Sequence, residues 1–401
     1  MRNPLVLPVY VPTFILAFGR GMLIPILPLF AGSFEVSYGL VGLVLASQGI
    51  GNLIGDVPAG VMAGRIGQRR SMLLGVAAVA ISTLAMSWAR SAPELVVYGL
   101  VGGLGTALFN ISRFAYLANT TTVARRGRAI AVFGGITRMG TFAGPVVGGA
   151  IGLWLGLRAP FVLFAIVAAV AVTLVAIFAD ETDEAATVAR GGLRGHSTHL
   201  WTIIKTHHYN LATAGSGRLM AQMIRAGKQI IVPLFGAEVL GLDVQQIGLI
   251  LSLSSAIDMS MFYPAGLIMD HYGRKFAYVP SFLLQALGMA LIPFTAGFTG
   301  LLSAMLVVGF GNGLGSGTMM TLGADLAPAE SVGEFLGLWR LIGDTGQAAA
   351  PIVVGAVTDL VGLSVATWII AGAGLAAASI LGLTVPETLK SHTKETQAPA
   401  S

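Results

Sequence analysis

A chain of 401 residues with 55% hydrophobic and only 10% charged side chains, at a mean hydropathy of +0.81, cannot cover itself with a water-compatible surface, since soluble domains carry roughly 25% charge. The absence of cysteine excludes a disulfide framework and a thiolate metal site, and four of the six His (His196, His199, His207, His208) share one polar segment without zinc-ligand spacing. The formal charge of +5 gathers at the ends of apolar runs, which is a pattern of membrane topology and not of nucleic-acid binding.

The first apolar run continues from Arg2 through Phe30. It is too long for a signal-peptide core and long enough to span, so no cleavable signal is expected. Stretches that fit a spanning helix fall at about 6–30, 38–62, 71–89, 95–117, 129–154 and 159–179. Six more fall at about 210–235, 245–268, 277–297, 299–324, 334–357 and 364–384. The expected fold is an all-α integral membrane protein of twelve transmembrane helices in two pseudo-symmetric six-helix bundles. Its expected parts are an N-terminal bundle over 1–179, a cytoplasmic linker over 180–208, a C-terminal bundle over 209–389 and a disordered cytoplasmic tail over 390–401.

Arg65, Arg69 and Arg70 follow the second span, Arg125, Arg126 and Arg128 the fourth, and His271, Arg274 and Lys275 the eighth. The opposite loops carry only Glu35, Arg90, Glu94, Arg158, Glu238, Asp243 and Asp359. The positive-inside bias therefore predicts cytoplasmic termini in a multi-pass protein of the plasma membrane, in a bacterium the cytoplasmic membrane. One loop breaks the rule: after the tenth span stand Asp325, Glu330 and Glu334 with no base.

Shifted by 206 residues, the chain matches itself. Pro58-Ala59-Gly60 falls on Pro264-Ala265-Gly266, Gly67 on Gly273, Gly140 on Gly346, Pro145 on Pro351, Gly149 on Gly355, and Glu181-Thr182 on Glu387-Thr388. With a one-residue slip Arg20 falls on Arg225. Two parallel repeats joined by a linker are a transporter plan with the binding site between halves.

The loop Gly60-x-x-x-Gly64-Arg65-x-Gly67-Gln68-Arg69-Arg70, and its fuller copy Gly266-x-x-x-Asp270-His271-x-Gly273-Arg274-Lys275, resemble the signature loop of the major facilitator superfamily. Gly140-x-x-x-Gly144-Pro145-x-x-Gly148-Gly149 in span five resembles the Gly-Pro motif of its twelve-span drug:H+ antiporter branch. The resemblance implies the major facilitator fold and alternating access. Spans 1, 4, 7 and 10 would line a cavity, and spans 2 and 11, and 5 and 8, would meet across the interface. Two departures stand out. The family's span-four Arg would fall at Gly99, whereas this chain has Arg113 deeper in that helix; and Arg20 occupies the span where many antiporters keep an acid.

Ionisable residues inside spans are expensive and mark function. Asp56 and Arg340 each lie about 9 Å from the inner boundary, and Asp258 and Arg138 about 15 Å from it. This predicts two ion pairs between the halves, Asp56–Arg340 and Arg138–Asp258, as gating or proton-coupling groups. Asp344, one turn from Arg340, would share its guanidinium; Asp56 with Arg113 is a competing pairing. Spans 1, 4 and 7 carry Arg20, Arg113, Arg218, Arg225 and Lys228 and no acid. Arg20 and Arg225 suit a carboxylate or phosphate, and with Arg113, Asn110 and Asn312 they form the expected substrate site. Gly64 lacks the carboxylate that the resemblance implies at this loop position, which Asp270 supplies in the other copy. Asp56, two turns back, is expected to take over that hold.

No Ser/His/Asp set, carboxylate–His cluster or Gly-x-x-x-x-Gly-Lys-Ser/Thr loop is found, so neither an enzyme nor ATP-driven transport is expected. The expected function is a secondary active exporter, antiporting a small amphipathic or anionic organic compound against protons. It would need no cofactor or metal, act as a monomer in the bilayer and bind no nucleic acid. A proton symporter importing an organic anion and a non-transporting membrane receptor are the alternatives.

Overall fold

The computed structural model describes residues 5–121, 123–180, 203–328 and 330–389. Most of the expected linker, the tail, and the side chains of Arg125, Arg126 and Arg128 lie outside the described residues. Among those described the chain is helical, with no strand. The helices are α1 (Val11–Leu23), α2 (Ile26–Gly32), α3 (Tyr38–Ile66), α4 (Gln68–Ser87), α5 (Ala92–Thr120), α6 (Val123–Leu155) and α7 (Ala159–Phe178). They continue as α8 (His208–Leu234), α9 (Val244–Ser260), α10 (Phe262–His271), α11 (Lys275–Leu291), α12 (Gly297–Leu314), α13 (Thr318–Leu326), α14 (Val332–Val361) and α15 (Leu363–Thr384). Nine helical runs among the described residues are long and apolar enough to cross a membrane. The long helices α6, α8 and α14 fall outside that group, and these are the ones that carry Arg138, the Arg218–Lys228 cations and the Arg340–Asp344 pair.

Three stretches expected as single helices are broken, each for a local reason. Pro25 cannot donate to the Gly21 carbonyl, which instead accepts from Ile24 N at 3.2 Å, so the chain turns between α1 and α2. Pro264 likewise leaves the Ser260 carbonyl without its helical donor, and α9 stops there before α10 resumes at Phe262. Between α12 and α13 the run Gly315-Ser316-Gly317 forms a turn with Gly317 at φ +77°, a conformation glycine adopts without a Cβ penalty.

The chain divides into two units, Met1–Gly192 with Val232–Ser252, and Leu193–Ile231 with Leu253–Ser401. Residues 232–252, expected within the C-terminal bundle, thus pack with the first unit. Glycines explain this: a Cβ on Gly149 would lie 2.6 Å from the Val244 carbonyl oxygen, and one on Gly248 2.3 Å from that of Pro145. At the other end of this contact Tyr38 donates to Glu238 at 2.5 Å.

Within each unit the 206-residue repeat is visible as packing. A Cβ on Gly103 of α5 would lie 2.2 Å from the Gln48 carbonyl oxygen of α3. Its repeat-mate Gly309 of α12 meets Ser254 O of α9 at 2.3 Å. Gly105 faces Gly75 O at 2.7 Å, and Gly311 faces Ser281 O at 2.8 Å. Small residues at these positions let backbones touch, which is how helices associate where lipid removes the hydrophobic drive. Side chains then fill what remains: Met72, Val76, Phe109, Tyr116 and Phe164 form one buried cluster of the first unit, and Ile26, Phe30, Val44, Leu95 and Phe161 another.

Gly103→Ala is expected to destabilise the protein by roughly 1–3 kcal/mol through overpacking. Gly372→Ala, where a Cβ meets nothing within 4 Å, should be neutral or stabilise by up to about 1 kcal/mol. Thermal unfolding in detergent checks both, and equal melting points for the two variants would contradict the backbone contact.

Candidate functional site

In the first unit Arg20 and Arg113 bond to neutral groups. Arg20, half-buried on α1, donates from Nη2 to Thr106 Oγ1 at 2.5 Å. Among the described residues no carboxylate pairs with it. Arg113 is 5% exposed and donates to Thr13 Oγ1 at 3.1 Å and Asn110 Oδ1 at 2.9 Å. Its guanidinium carbon lies 4.2, 4.9 and 5.3 Å from the ring centres of Phe133, Phe109 and Phe114, a cation held by aromatic faces. Asn110 and Arg113, both expected at the substrate, are thus bonded to each other. Asp56 on α3 and Arg138 on α6 are half-buried in the same unit.

In the second unit Arg225 donates to Gln222 Oε1 at 3.3 Å and to the Gly315 carbonyl at 3.4 Å, with its guanidinium 5.4 Å from the Phe282 ring centre. Asp258 accepts from Asn312 Nδ2 at 2.9 Å and from Ser316 Oγ at 3.5 Å. Asp258 and Arg225 both act electrostatically on Lys228. Arg340 Nε lies 3.2 Å from Asp344 Oδ2, and Arg218 stacks 5.1 Å from the Trp339 ring centre within the field of that pair. Asn312 and Ser316 are the repeat-mates of Thr106 and Asn110, and Asp258 is the repeat-mate of Asn52. The same rungs therefore carry an acid in one repeat and an amide in the other. Of the two pairs expected between the halves, Asp56 and Arg138 lie in the first unit, Arg340 and Asp258 in the second.

The profile of the Major Facilitator Superfamily matches residues 9–333 and 216–401. The chain belongs to this superfamily. An uncharacterized MFS-type transporter of Methanocaldococcus jannaschii is 19% identical to it over 356 residues, which are 89% of this chain and 92% of the relative. Multidrug resistance protein 2 of Bacillus subtilis is 28% identical over 158 residues, 39% of each chain. A POT family transporter crystallised with 5-aminolevulinic acid superposes with a TM-score of 0.78 at 13% identity, covering 95% of this chain and 96% of that one. The protein is a multi-pass membrane transporter and not an enzyme.

The superfamily's signature loops show the repeat again. Arg69 Nη2 donates to the Ala176 carbonyl at 2.6 Å, and Lys275 Nζ to that of Gly382 at 2.7 Å. Ala176 and Gly382 are repeat-mates, each in the last turn of a bundle's final helix, where a cation satisfies an orphan carbonyl and the helix dipole. Gly67 and Gly273 make the preceding turns at φ +88° and +120°. Among the described residues no atom lies within 4 Å of a Cβ placed on Gly60, Gly64 or Gly266.

The second loop has a network of its own. Arg274 donates from Nη1 to Asp270 Oδ1 at 3.0 Å and from Nε to Asp325 Oδ2 at 3.2 Å, while Thr388 Oγ1 donates to the same Asp325 oxygen at 2.7 Å. One acid of the loop that breaks the charge rule, Asp325, is thus paired with a base of the signature loop. Glu387 accepts from the backbone N–H groups of Arg274, Lys275 and Leu389 at 2.9, 3.0 and 3.1 Å. Burial acts to raise its pKa. The three N–H bonds and the Arg274 charge outweigh burial and hold the carboxyl below its usual value.

The span-five motif packs α6 against α1: Cβ atoms on Gly140, Gly144 and Gly148 would lie 2.7 Å or less from Ala17, Gly21 and Met22. Pro145 weakens the helix within this motif, and Ser252 closes the rung beside it. Its hydroxyl accepts from Val146 N at 3.0 Å and donates to Phe142 O at 2.8 Å, bridging groups four residues apart on α6. At Gly99, where the family's span-four Arg would fall, a Cβ would lie 1.9 Å from Ser47 Oγ, so the Ser47 hydroxyl would have to move to admit a side chain. The sequence reading missed Thr13, Thr106, Ser252 and the role of Glu387. Thr106 was findable as the repeat-mate of Asn312; Ser252 has only Ala46 as its mate and gives no such signal.

Ser252→Ala leaves the Val146 donor and Phe142 acceptor unbridged, at a cost of about 1–3 kcal/mol. Faster amide exchange at Val146 than in the wild type would show it, and unchanged exchange would refute the bridge. Because the Glu387 pKa is depressed on folding, its contribution is present above the unfolded value of about 4.3 and is lost as pH falls through the lower folded value. Glu387→Gln should therefore lower thermal stability at pH 7, with the deficit shrinking below about pH 4.

Proposed function

We propose that this transporter is a proton-coupled exporter, an antiporter that moves a small amphipathic or anionic organic compound by alternating access. One observation carries the reading. Arg20 sits within a spanning helix with a hydroxyl as its partner and no carboxylate among the described residues. Of five guanidinium N–H donors, one is used. An uncompensated cation at that depth costs several kcal/mol by the lower estimates, and a substrate carboxylate or phosphate arriving at it offsets that cost through bidentate bonds. Arg225, the repeat-mate, has long bonds to its neighbours and serves as the second anion contact. The 5-aminolevulinic acid held by the superposed transporter carries a carboxylate, which is in keeping with an anionic substrate, and the Bacillus relative is a resistance protein, which is in keeping with outward transport.

Coupling falls to Asp258, the acid that the first repeat replaces with Asn52, together with Arg138. Asp56 with Arg340, shared by Asp344, forms the second lock. A proton on either Asp weakens its pair and frees the halves to rock. The protein is assigned as a monomer in the plasma membrane with cytoplasmic termini.

In sealed proteoliposomes, Arg20→Ala and Arg225→Ala should each lower transport of an anionic substrate about tenfold or more, with a neutral analogue little affected, since one lost charge-assisted bond is worth roughly 1.5–3 kcal/mol. Equal losses for both substrates sink the anion reading. An imposed pH gradient should drive uphill export; uphill uptake reverses the direction, and no flux points to a receptor. Asp56→Arg with Arg340→Asp should recover part of what either change loses alone, and a swap no better than the single variants removes the direct pair.

A further inference from the structure

The geometry points to a binding site for an anionic phospholipid on the outer face of the second unit, in the groove between α11 and α15. The groove holds about 500 Å3 and is lined by Phe276, Val279, Pro280 and Leu283 from α11 and by Ala378, Ser379, Gly382 and Leu383 from α15, with Lys275 at one end. That volume lies within the roughly 300–1,000 Å3 of small-molecule sites. Its shape follows from small residues. Gly382 lacks a Cβ that would come within 3.3 Å of Val279, and Ala378 and Ser379 keep the α15 wall low. Phe276, Leu283 and Leu383 stand beside it at 64%, 45% and 85% exposure. In a membrane protein such side chains meet acyl chains, so an alkyl chain and not water fills the groove.

The polar end selects the headgroup. Lys275 begins α11, and its ammonium makes one hydrogen bond, to the Gly382 carbonyl at 2.7 Å. No carboxylate pairs with it among the described residues. The nearby Glu387 carboxylate accepts from three backbone N–H groups and makes no ion pair with the Lys275 ammonium. Two of its three N–H donors remain for a phosphate. The basic loop at this end is the one that the charge bias assigns to the cytoplasmic side, where anionic lipids concentrate and where basic pockets between helices take their headgroups. An apolar slot with a cation at headgroup level fits one acyl chain and the phosphate of a lipid such as phosphatidylglycerol. This site does not depend on the transported substrate or on the direction of transport.

Native mass spectrometry of the full chain in detergent, titrated with equimolar phosphatidylglycerol and phosphatidylcholine of matched acyl chains, tests it. The wild type should retain phosphatidylglycerol over phosphatidylcholine by about fivefold, the factor one basic residue near the surface supplies. Lys275→Gln should bring the ratio towards one, Lys275→Arg should keep it, and Ser379→Trp, which fills the slot, should lose the retained lipid. Equal retention by the wild type, or phosphatidylglycerol still held by Ser379→Trp, overturns the site. Should Ser379→Trp not fold, Leu283→Trp decides: bromine-labelled phosphatidylglycerol should quench the added fluorescence more than labelled phosphatidylcholine, and equal quenching rejects the proposal.

Discussion

Backbone-to-backbone contact is the constraint on which this structure rests. In lipid, two leucine-covered helices gain almost nothing by leaving the acyl chains for each other, so association depends on close dispersion contact and on polar groups between helices. The glycines of α5 and α12 supply that contact at repeat-equivalent places, Gly103 on Gln48 and Gly309 on Ser254. Because the approach is so close, the packing tolerates no side chain at these points. Gly99 differs in kind, since a Cβ there would meet the Ser47 side chain and not backbone, and the arginine of the fourth span is Arg113, held among three phenylalanines.

On that frame the two repeats divide their polar chemistry. In the first, Arg20 bonds to Thr106, and Arg113 bonds to Thr13 and Asn110 and lies over phenylalanine rings. The second places an acid, Asp258, against Asn312 and Ser316 on the rungs that the first fills with Asn52, Thr106 and Asn110. Duplication made the scaffold symmetric, and substitution at a few rungs made the chemistry asymmetric.

The helical class, the repeat and the family were legible in the sequence because each rests on patterns spread over hundreds of residues: apolar runs, a constant 206-residue offset and two loop motifs. What was not legible depends on single atoms meeting across helices. The breaks at Pro25 and Pro264 had their residues in view, yet Pro145 and Pro351 stay inside continuous helices, so proline alone does not say where a helix stops. The acidic loop at Asp325 looked like an exception until Arg274 was found bonded to it. Loop charges are counted separately in a topology reading, whereas in the folded unit an acid of one loop can pair with a base of another. Residues 232–252 went to the other unit for a similar reason, since a boundary in sequence does not reveal which glycines will touch.

The Ser252 bridge has a consequence for motion. A rung closed by a neighbour's hydroxyl is satisfied only while the two helices stay together, and Phe142 O and Val146 N must find new partners as they part. A water molecule can serve, since it accepts and donates as the serine does. Separation of α9 from α6 at this point would therefore require water to enter beside Pro145.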